Sequence, residues 1–240
     1  MENLSSGYIL MSLFFISGGT AGGWALTFKL AGEDAALSFL YIGVVTVLVM
    51  SLTQVVFFEI GKRRMIYRVM FNIAFISGII WFMLCLLLPV LWLRSVGSAE
   101  KTVLFLFLLV LCAANVFRAS QQFKSKWDAE GESALARHYN SKNNTIDWPK
   151  ILKQMKFSFE LYVPGIPERM NPFISVAIVL SMLVGLNLRN YFPTFSLFAW
   201  GIPSCFIISV VVQMIGLCIA QITKLIALEK KYGGAIAPKS

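Results

Sequence analysis

The side chains that could perform acid–base, nucleophilic or metal chemistry are few in this sequence, and they are scattered. There is one histidine, His138, and the one cluster of three carboxylates falls in a segment predicted to be a solvated helix: Asp128, Glu130 and Glu132. The four cysteines form no CxxC pair: Cys85, Cys112, Cys205 and Cys218. Catalysis by such groups needs several of them held in fixed geometry. We therefore predict that the protein is not an enzyme and holds no metal or cofactor.

Four amide side chains are conspicuous because they lie inside long apolar runs: Gln54, Asn72, Asn115 and Gln213. The first three are predicted to lie about one helical turn inside the same membrane boundary, with Gln213 deeper. Amides in lipid form hydrogen bonds between helices, worth about 1–2 kcal/mol or less each. We interpret this intramembrane polar cluster as structural, and the alternative is the lining of a vestibule or a ligand contact.

The first apolar run contains a strip of closely spaced glycines: Gly18, Gly19, Gly22 and Gly23. Glycines four residues apart leave a flat helix surface on which another backbone can approach closely, and such packing drives helix association in lipid. The strip therefore predicts a helix-packing interface, within the chain or between protomers. A bent or flexible helix is the alternative.

Six apolar runs predict the elements that position these residues. Hydrophobic residues make up 58% of the chain and charged residues 14%, whereas a soluble domain is about a quarter charged. The runs contain no Asp, Glu, Lys, Arg or His, and they cover residues 8–28, 35–58, 69–93, 102–117, 173–188 and 195–222. A spanning helix needs about 20 apolar residues. We predict an all-α, polytopic membrane bundle of about six transmembrane helices, kinked at Pro89 and Pro203. Because the fourth and fifth runs are short, four or five spans with a re-entrant segment is the alternative.

The distribution of Lys and Arg predicts the orientation. All but four of them fall on one side of the membrane, the exceptions being Lys29, Arg94, Lys101 and Arg189. The positive-inside rule makes the basic side cytoplasmic. Residues 1–117 then hold the first four spans, 118–171 a cytoplasmic loop, 172–223 the last two spans and 224–240 a cytoplasmic tail, with 235–240 expected to be disordered. We expect the inner membrane of a bacterium, with both termini cytoplasmic.

The loop contains a predicted amphipathic helix with a basic face. Its apolar residues recur at helical spacing: Trp148, Ile151, Leu152, Met155, Phe159 and Tyr162. Off this stripe lie Lys150, Lys153 and Lys156, and a second basic group, Lys62, Arg63 and Arg64, follows the second run. A basic helix with aromatic residues opposite its lysines is typical of the lipid headgroup region. Packing on the ends of the other helices fits the pattern equally well.

These features favour a protein that acts by contact. Ion- or proton-coupled transport generally uses ionisable residues inside the membrane, and the six runs have none. We expect the partners to be the lipid bilayer and another membrane protein or a second copy, as in a subunit, an assembly factor or an exclusion or immunity protein. Nucleic acid is not expected, because the basic residues flank membrane spans. The alternative is a passive channel or carrier for a small neutral solute.

Overall fold

The computed structural model describes residues 6–188 and 190–239. In chain order its helices are α1 (Ser6–Ala31), α2 (Glu33–Gly61), α3 (Met65–Leu87), α4 (Ser98–Lys126), α5 (Glu132–His138), α6 (Trp148–Met155), α7 (Asn171–Leu188) and α8 (Pro193–Tyr232). Among the described residues, six helices are long and apolar enough to cross a bilayer, which confirms the predicted all-α membrane bundle. Arg189, counted above, lies outside the described residues, as do residues 1–5 and 240.

Helices α3 and α8 lie at the centre of the bundle. Helices α1, α2 and α3 pack on one another, α3 also packs against α8, and α8 packs against α4 and α7. The peripheral helices therefore turn large apolar side chains outward, such as Leu52 on α2 (66% exposed) and Phe173 on α7 (69% exposed). Such surfaces are unusual on soluble monomers, and lipid accommodates them.

Helices α4 and α8 are longer than a bilayer span requires, and both continue at the same end of the bundle. Helix α8 has 40 residues, which at 1.5 Å per residue is about 60 Å, twice the hydrocarbon thickness of about 30 Å. Helix α4 continues through one π-helical turn (Trp127–Gly131) into α5. Both ends project beside the α2–α3 turn and α6. We call this end of the molecule the loop end.

The loop end has an apolar core that continues along α3 and α8 into the bundle. The rings of Trp127 and Trp148 stack with centroids 5.7 Å apart, and Ile151, Met155 and Ile236 around them are fully buried. A small sheet covers this core, with strands β1 (Tyr139–Asn140), β2 (Thr145–Ile146) and β3 (Ala237–Pro238) in the order β1-β2-β3. The β1–β2 pair is antiparallel and the β2–β3 pair is parallel.

The C-terminal tail corrects one prediction, because residues 235–239 are ordered rather than disordered. Ile236 is buried, and its carbonyl accepts a hydrogen bond from the Met65 backbone N–H at 2.9 Å. Gly233, with φ of 70°, ends α8 in the left-handed conformation, as C-terminal glycines commonly do. This turn directs the chain back onto the bundle, where Ala237 and Pro238 pair with β2.

Helix α6 is shorter than predicted. It ends at Met155, and Lys156 adopts a positive φ of 43°, so Phe159 and Tyr162 are not part of the helix. Its apolar face, Trp148, Ile151 and Met155, is buried within the chain. Of the two placements considered, the structure therefore has this face packed on the ends of the other helices.

The two prolines at which kinks were predicted lie in different settings. At Pro89 the α-helix has already ended at Leu87, and the chain continues as a 3₁₀ turn (Leu88–Trp92). Pro203 lies inside α8 without ending it. Proline lacks an N–H, so it leaves the carbonyl four residues earlier, on Ala199, without its helical partner. The Ser181 hydroxyl of α7 donates to this carbonyl at 3.0 Å, which ties α7 to α8.

Candidate functional site

The glycine strip of α1 is divided between two faces. A Cβ on Gly19 would lie 2.8 Å from the backbone Cα of Phe82, and one on Gly23 would overlap the ring of Phe39. These two glycines therefore allow α1 to approach α3 and α2 closely. At Gly18 and Gly22 nothing lies within 4 Å of the same position, and both residues are exposed. Half of the strip is used inside the fold and half faces outward.

Gln54 connects the first three helices. Its Nε2 donates to the hydroxyl of Ser12 on α1 at 2.6 Å and to the carbonyl of Ala74 on α3 at 3.1 Å. The side chain is fully buried, and its Oε1 accepts no hydrogen bond from the described residues. A further polar contact in this group of helices is the Trp81 indole N–H, which donates to Thr20 at 3.0 Å.

Asn115 and Gln213 form a second, separate polar group between α4 and α8. Gln213 Nε2 donates to Asn115 Oδ1 at 2.6 Å. Asn115 also donates to the carbonyl of Tyr162 at 2.8 Å, and Gln213 to that of Glu160 at 2.6 Å. The two amides therefore lie at the same level, although Gln213 was predicted to be deeper.

The Asn115 and Gln213 amides bind backbone carbonyls of the segment that follows α6. Residues 156–163, which follow α6, have no helical or strand structure, so their carbonyls lack regular partners. Backbone groups without partners are costly near lipid, and the Asn115 and Gln213 amides provide partners for two of them. The ring of Tyr162 also lies under the Arg118 guanidinium, 4.8 Å from its centre. The sequence did not indicate this segment, because its apolar spacing resembled a continued helix.

Asn72 belongs to neither group. It is exposed on α3 and lines a cavity at the loop end. The four amides predicted as one cluster are thus distributed over three places: Gln54 between α1, α2 and α3, the Asn115–Gln213 pair between α4 and α8, and Asn72 on the cavity wall.

The basic residues are likewise divided. Lys62 pairs with Glu59 at 2.8 Å, Lys150 pairs with Asp147 at 2.9 Å, and Arg64 forms two hydrogen bonds with Glu229. Arg63, Lys153 and Lys156 are exposed. Lys150 and Lys153 line the same cavity as Asn72, whereas Lys62, Arg63 and Lys156 lie outside it.

The Arg64–Glu229 pair was not anticipated from the sequence. The hydrogen bond from Arg64 to Glu229, together with that carboxylate's charge, raises the pKa of the Arg64 guanidinium despite the opposing effect of burial. Glu229 Oε1 also accepts the backbone N–H of Ile236 at 3.1 Å. One carboxylate thus joins the α2–α3 turn, α8 and the tail. A salt bridge between residues 165 positions apart leaves no local signal in the sequence.

Groups that could perform chemistry remain apart. In the described part of the chain, no three His, Cys, Asp or Glu side chains come together where they could hold a metal ion. The four cysteines are free thiols inside the bundle. The ring of His138 lies 2.9 Å from the amide of Gln154 at the loop end.

The fold and its surface define a helical, multi-pass integral membrane protein. No known protein family, curated protein or solved structure matches this chain.

Proposed function

We propose that this protein acts through contact with another membrane protein, as a subunit, an assembly factor or an exclusion- or immunity-type protein. We place it in the inner membrane of a bacterium, with both termini and the 118–171 loop in the cytoplasm. The main support is the exposed pair Gly18 and Gly22. A Cβ placed on either of them would contact no other helix, whereas a Cβ on Gly19 or Gly23 would collide with α3 or α2.

A cleft beside this pair supports the same proposal. A cavity of about 370 Å³ lies between the far ends of α1, α3, α7 and α8, and Leu26 and Lys29 belong to its wall. They follow Gly22 by four and seven residues and therefore lie on its side of α1. Helix α7 is largely exposed across this region. We propose that a transmembrane helix of the partner occupies the glycine face and this cleft.

Site-specific crosslinking tests the proposed interface. A photoreactive side chain at Ala21 or Ala25, both exposed on α1, should give one discrete adduct with another protein in native membranes. The same probe at Leu48, on the exposed face of α2, should give none. Gly18→Leu/Gly22→Leu should abolish both the adduct and co-purification in mild detergent, and Ala113→Leu, at an exposed position on α4, should preserve both.

The outcomes separate the possibilities. The double leucine variant should keep the stability of the parent, because both positions are exposed and no neighbouring helix lies within 4 Å of a Cβ placed there. An adduct with twice the mass of this chain would show that the partner is a second copy of this chain and not a different protein. Selective, saturable flux of a neutral solute through liposomes containing the purified protein would contradict the contact proposal and favour the channel or carrier.

A further inference from the structure

The cavity at the loop end changes in character along its length. It has a volume of about 630 Å³ between α3, α6 and α8, which falls within the range of about 300–1,000 Å³ for ligand sites. Phe75, Ile76 and Met214 line its inner part. Arg68, which lies near its outer part, precedes Ile76 by eight residues on α3, or about 12 Å along the helix. The cavity thus passes from polar to apolar over a distance comparable with the outer part of a lipid leaflet.

The polar part of the cavity has a positive charge. Among the described residues that line it, four are cationic: Arg68, Lys150, Lys153 and Lys239. The described wall has one carboxylate, Asp147, which is paired with Lys150 at 2.9 Å. Residues of the first turns of α3 and α6 also line this part, and helix N-termini attract anions. Asn72 provides an exposed amide one turn inside Arg68.

We propose that this cavity binds one anionic phospholipid. Its phosphate lies at the cationic part, and the part of an acyl chain nearest the glycerol lies against the apolar wall. The charge of the rim matches a phosphodiester, and the apolar inner wall matches a hydrocarbon chain. A free phosphate would use only the rim and would leave the inner wall without an occupant. This inference is independent of the proposed partner, because the glycine face of α1 and the cleft beside it lie elsewhere on the molecule.

Native mass spectrometry of the full chain in micelles tests the proposal, with dioleoyl phosphatidylglycerol and dioleoyl phosphatidylcholine as probes. The parent should bind one phosphatidylglycerol in preference to phosphatidylcholine. Each lysine near an anionic lipid contributes about 1 kcal/mol, or about fivefold in affinity. Lys153→Gln/Lys239→Gln should therefore lower the affinity for phosphatidylglycerol about 25-fold, and it leaves the Asp147–Lys150 pair intact.

A matched variant provides the control. Lys124→Gln/Lys142→Gln removes the same charge from exposed positions outside the cavity and should bind phosphatidylglycerol like the parent. Met214→Trp, which fills the apolar part, should weaken phosphatidylglycerol binding at least tenfold without removing a cation.

Three results with the lipid probes would each overturn the proposal. These are equal binding of the two lipids by the parent, unchanged affinity of Lys153→Gln/Lys239→Gln, and an equal loss in the Lys124→Gln/Lys142→Gln control. Inorganic phosphate at the same concentration should leave the lipid bound. Displacement of the lipid by phosphate would mean that the cavity is an anion site and not a lipid site.

Discussion

The interior of the bundle and the core of the loop end differ in their closest contacts. In the bundle, Gly19, Gly23 and Gly216 bring helices close, and buried amides bridge them. At the loop end, the large side chains of Trp127 and Trp148 stack and are buried. Lipid provides no hydrophobic gain when apolar side chains are buried between helices, whereas water does. Enlarging a buried glycine should therefore destabilise the bundle most, and truncating a buried aromatic side chain should destabilise the loop end most.

The largest effect should come from Trp148→Ala. This indole is 1% exposed, and its N–H donates to Gln221 at 2.8 Å. Removing a buried tryptophan costs about 3–5 kcal/mol and here also leaves the Gln221 amide without that partner. We expect proteolysis and hydrogen exchange to increase across residues 127–163 and in the tail while the spanning helices stay protected.

A tryptophan facing outward provides the comparison. Trp24 on α1 is 39% exposed, so Trp24→Ala should change the free energy of unfolding by less than about 1 kcal/mol. Equal losses in the two variants would show that burial of Trp148 does not stabilise the loop end.

The next effect should come from adding volume at Gly216. A Cβ there would lie 2.5 Å from the backbone carbonyl oxygen of Val116, and backbone cannot rotate aside as a side chain can. The Gly216 carbonyl also accepts the Ser120 hydroxyl at 3.0 Å. Overpacking costs about 1–3 kcal/mol, so Gly216→Leu should separate α4 from α8 and lower the thermal midpoint in detergent. Ala113→Leu, on the exposed side of α4, should leave the midpoint unchanged.

The sequence predicted the bundle better than the loop end, for a physical reason. A spanning helix satisfies its own backbone, so apolar length alone identifies it. Each of the six predicted runs falls on a long apolar helix, although the third continues past the end of α3 at Leu87. The loop end depends on contacts between distant segments, such as Arg64 with Glu229 and β2 with β3. Spacing along the chain does not encode these contacts, and it wrongly extended α6 to Tyr162.

The candidate sites follow the same division. The residue types of the glycine strip and the amides were evident from the sequence, but their partners were not. Adjacent glycines such as Gly18 and Gly19 lie on different faces of a helix. Which of the two remains exposed is determined by how α1 packs on α3, and the sequence does not show this. The loop-end cavity requires α3, α6 and α8 together, and no single segment indicates it.

A smaller effect is expected from the amides between α4 and α8. Gln213→Leu removes the hydrogen bonds to Asn115 and to the Glu160 carbonyl, at a cost of about 1–2 kcal/mol or less. The loss should be local, with faster hydrogen exchange and proteolysis in residues 156–163. Gln121→Leu, at an exposed position on α4, is the matched control. If 156–163 stayed equally protected in the Gln213 variant, the amides would not be what holds this segment.

The smallest effect tests whether the loop end responds to pH through Asp147. Burial alone would raise the pKa of this carboxyl, but the hydrogen bond and the charge of Lys150 outweigh it and hold the pKa below its usual range. A carboxyl with a lowered pKa stabilises the fold above its ordinary pKa of about 3.9, and this contribution is lost as the pH falls through the lowered value. Lys150 is largely exposed, so the contribution should be under about 1 kcal/mol.

Asp147→Asn should therefore be less stable than the parent by a constant small amount from pH 7 to about pH 5. The difference should shrink below about pH 4 and disappear once Asp147 is protonated in the folded parent. Equilibrium denaturation in micelles, followed by tryptophan fluorescence, measures it. Lys150→Gln should reduce the same difference at neutral pH, because both variants remove one interaction. If the difference between Asp147→Asn and the parent grew on acidification, burial rather than Lys150 would dominate at Asp147.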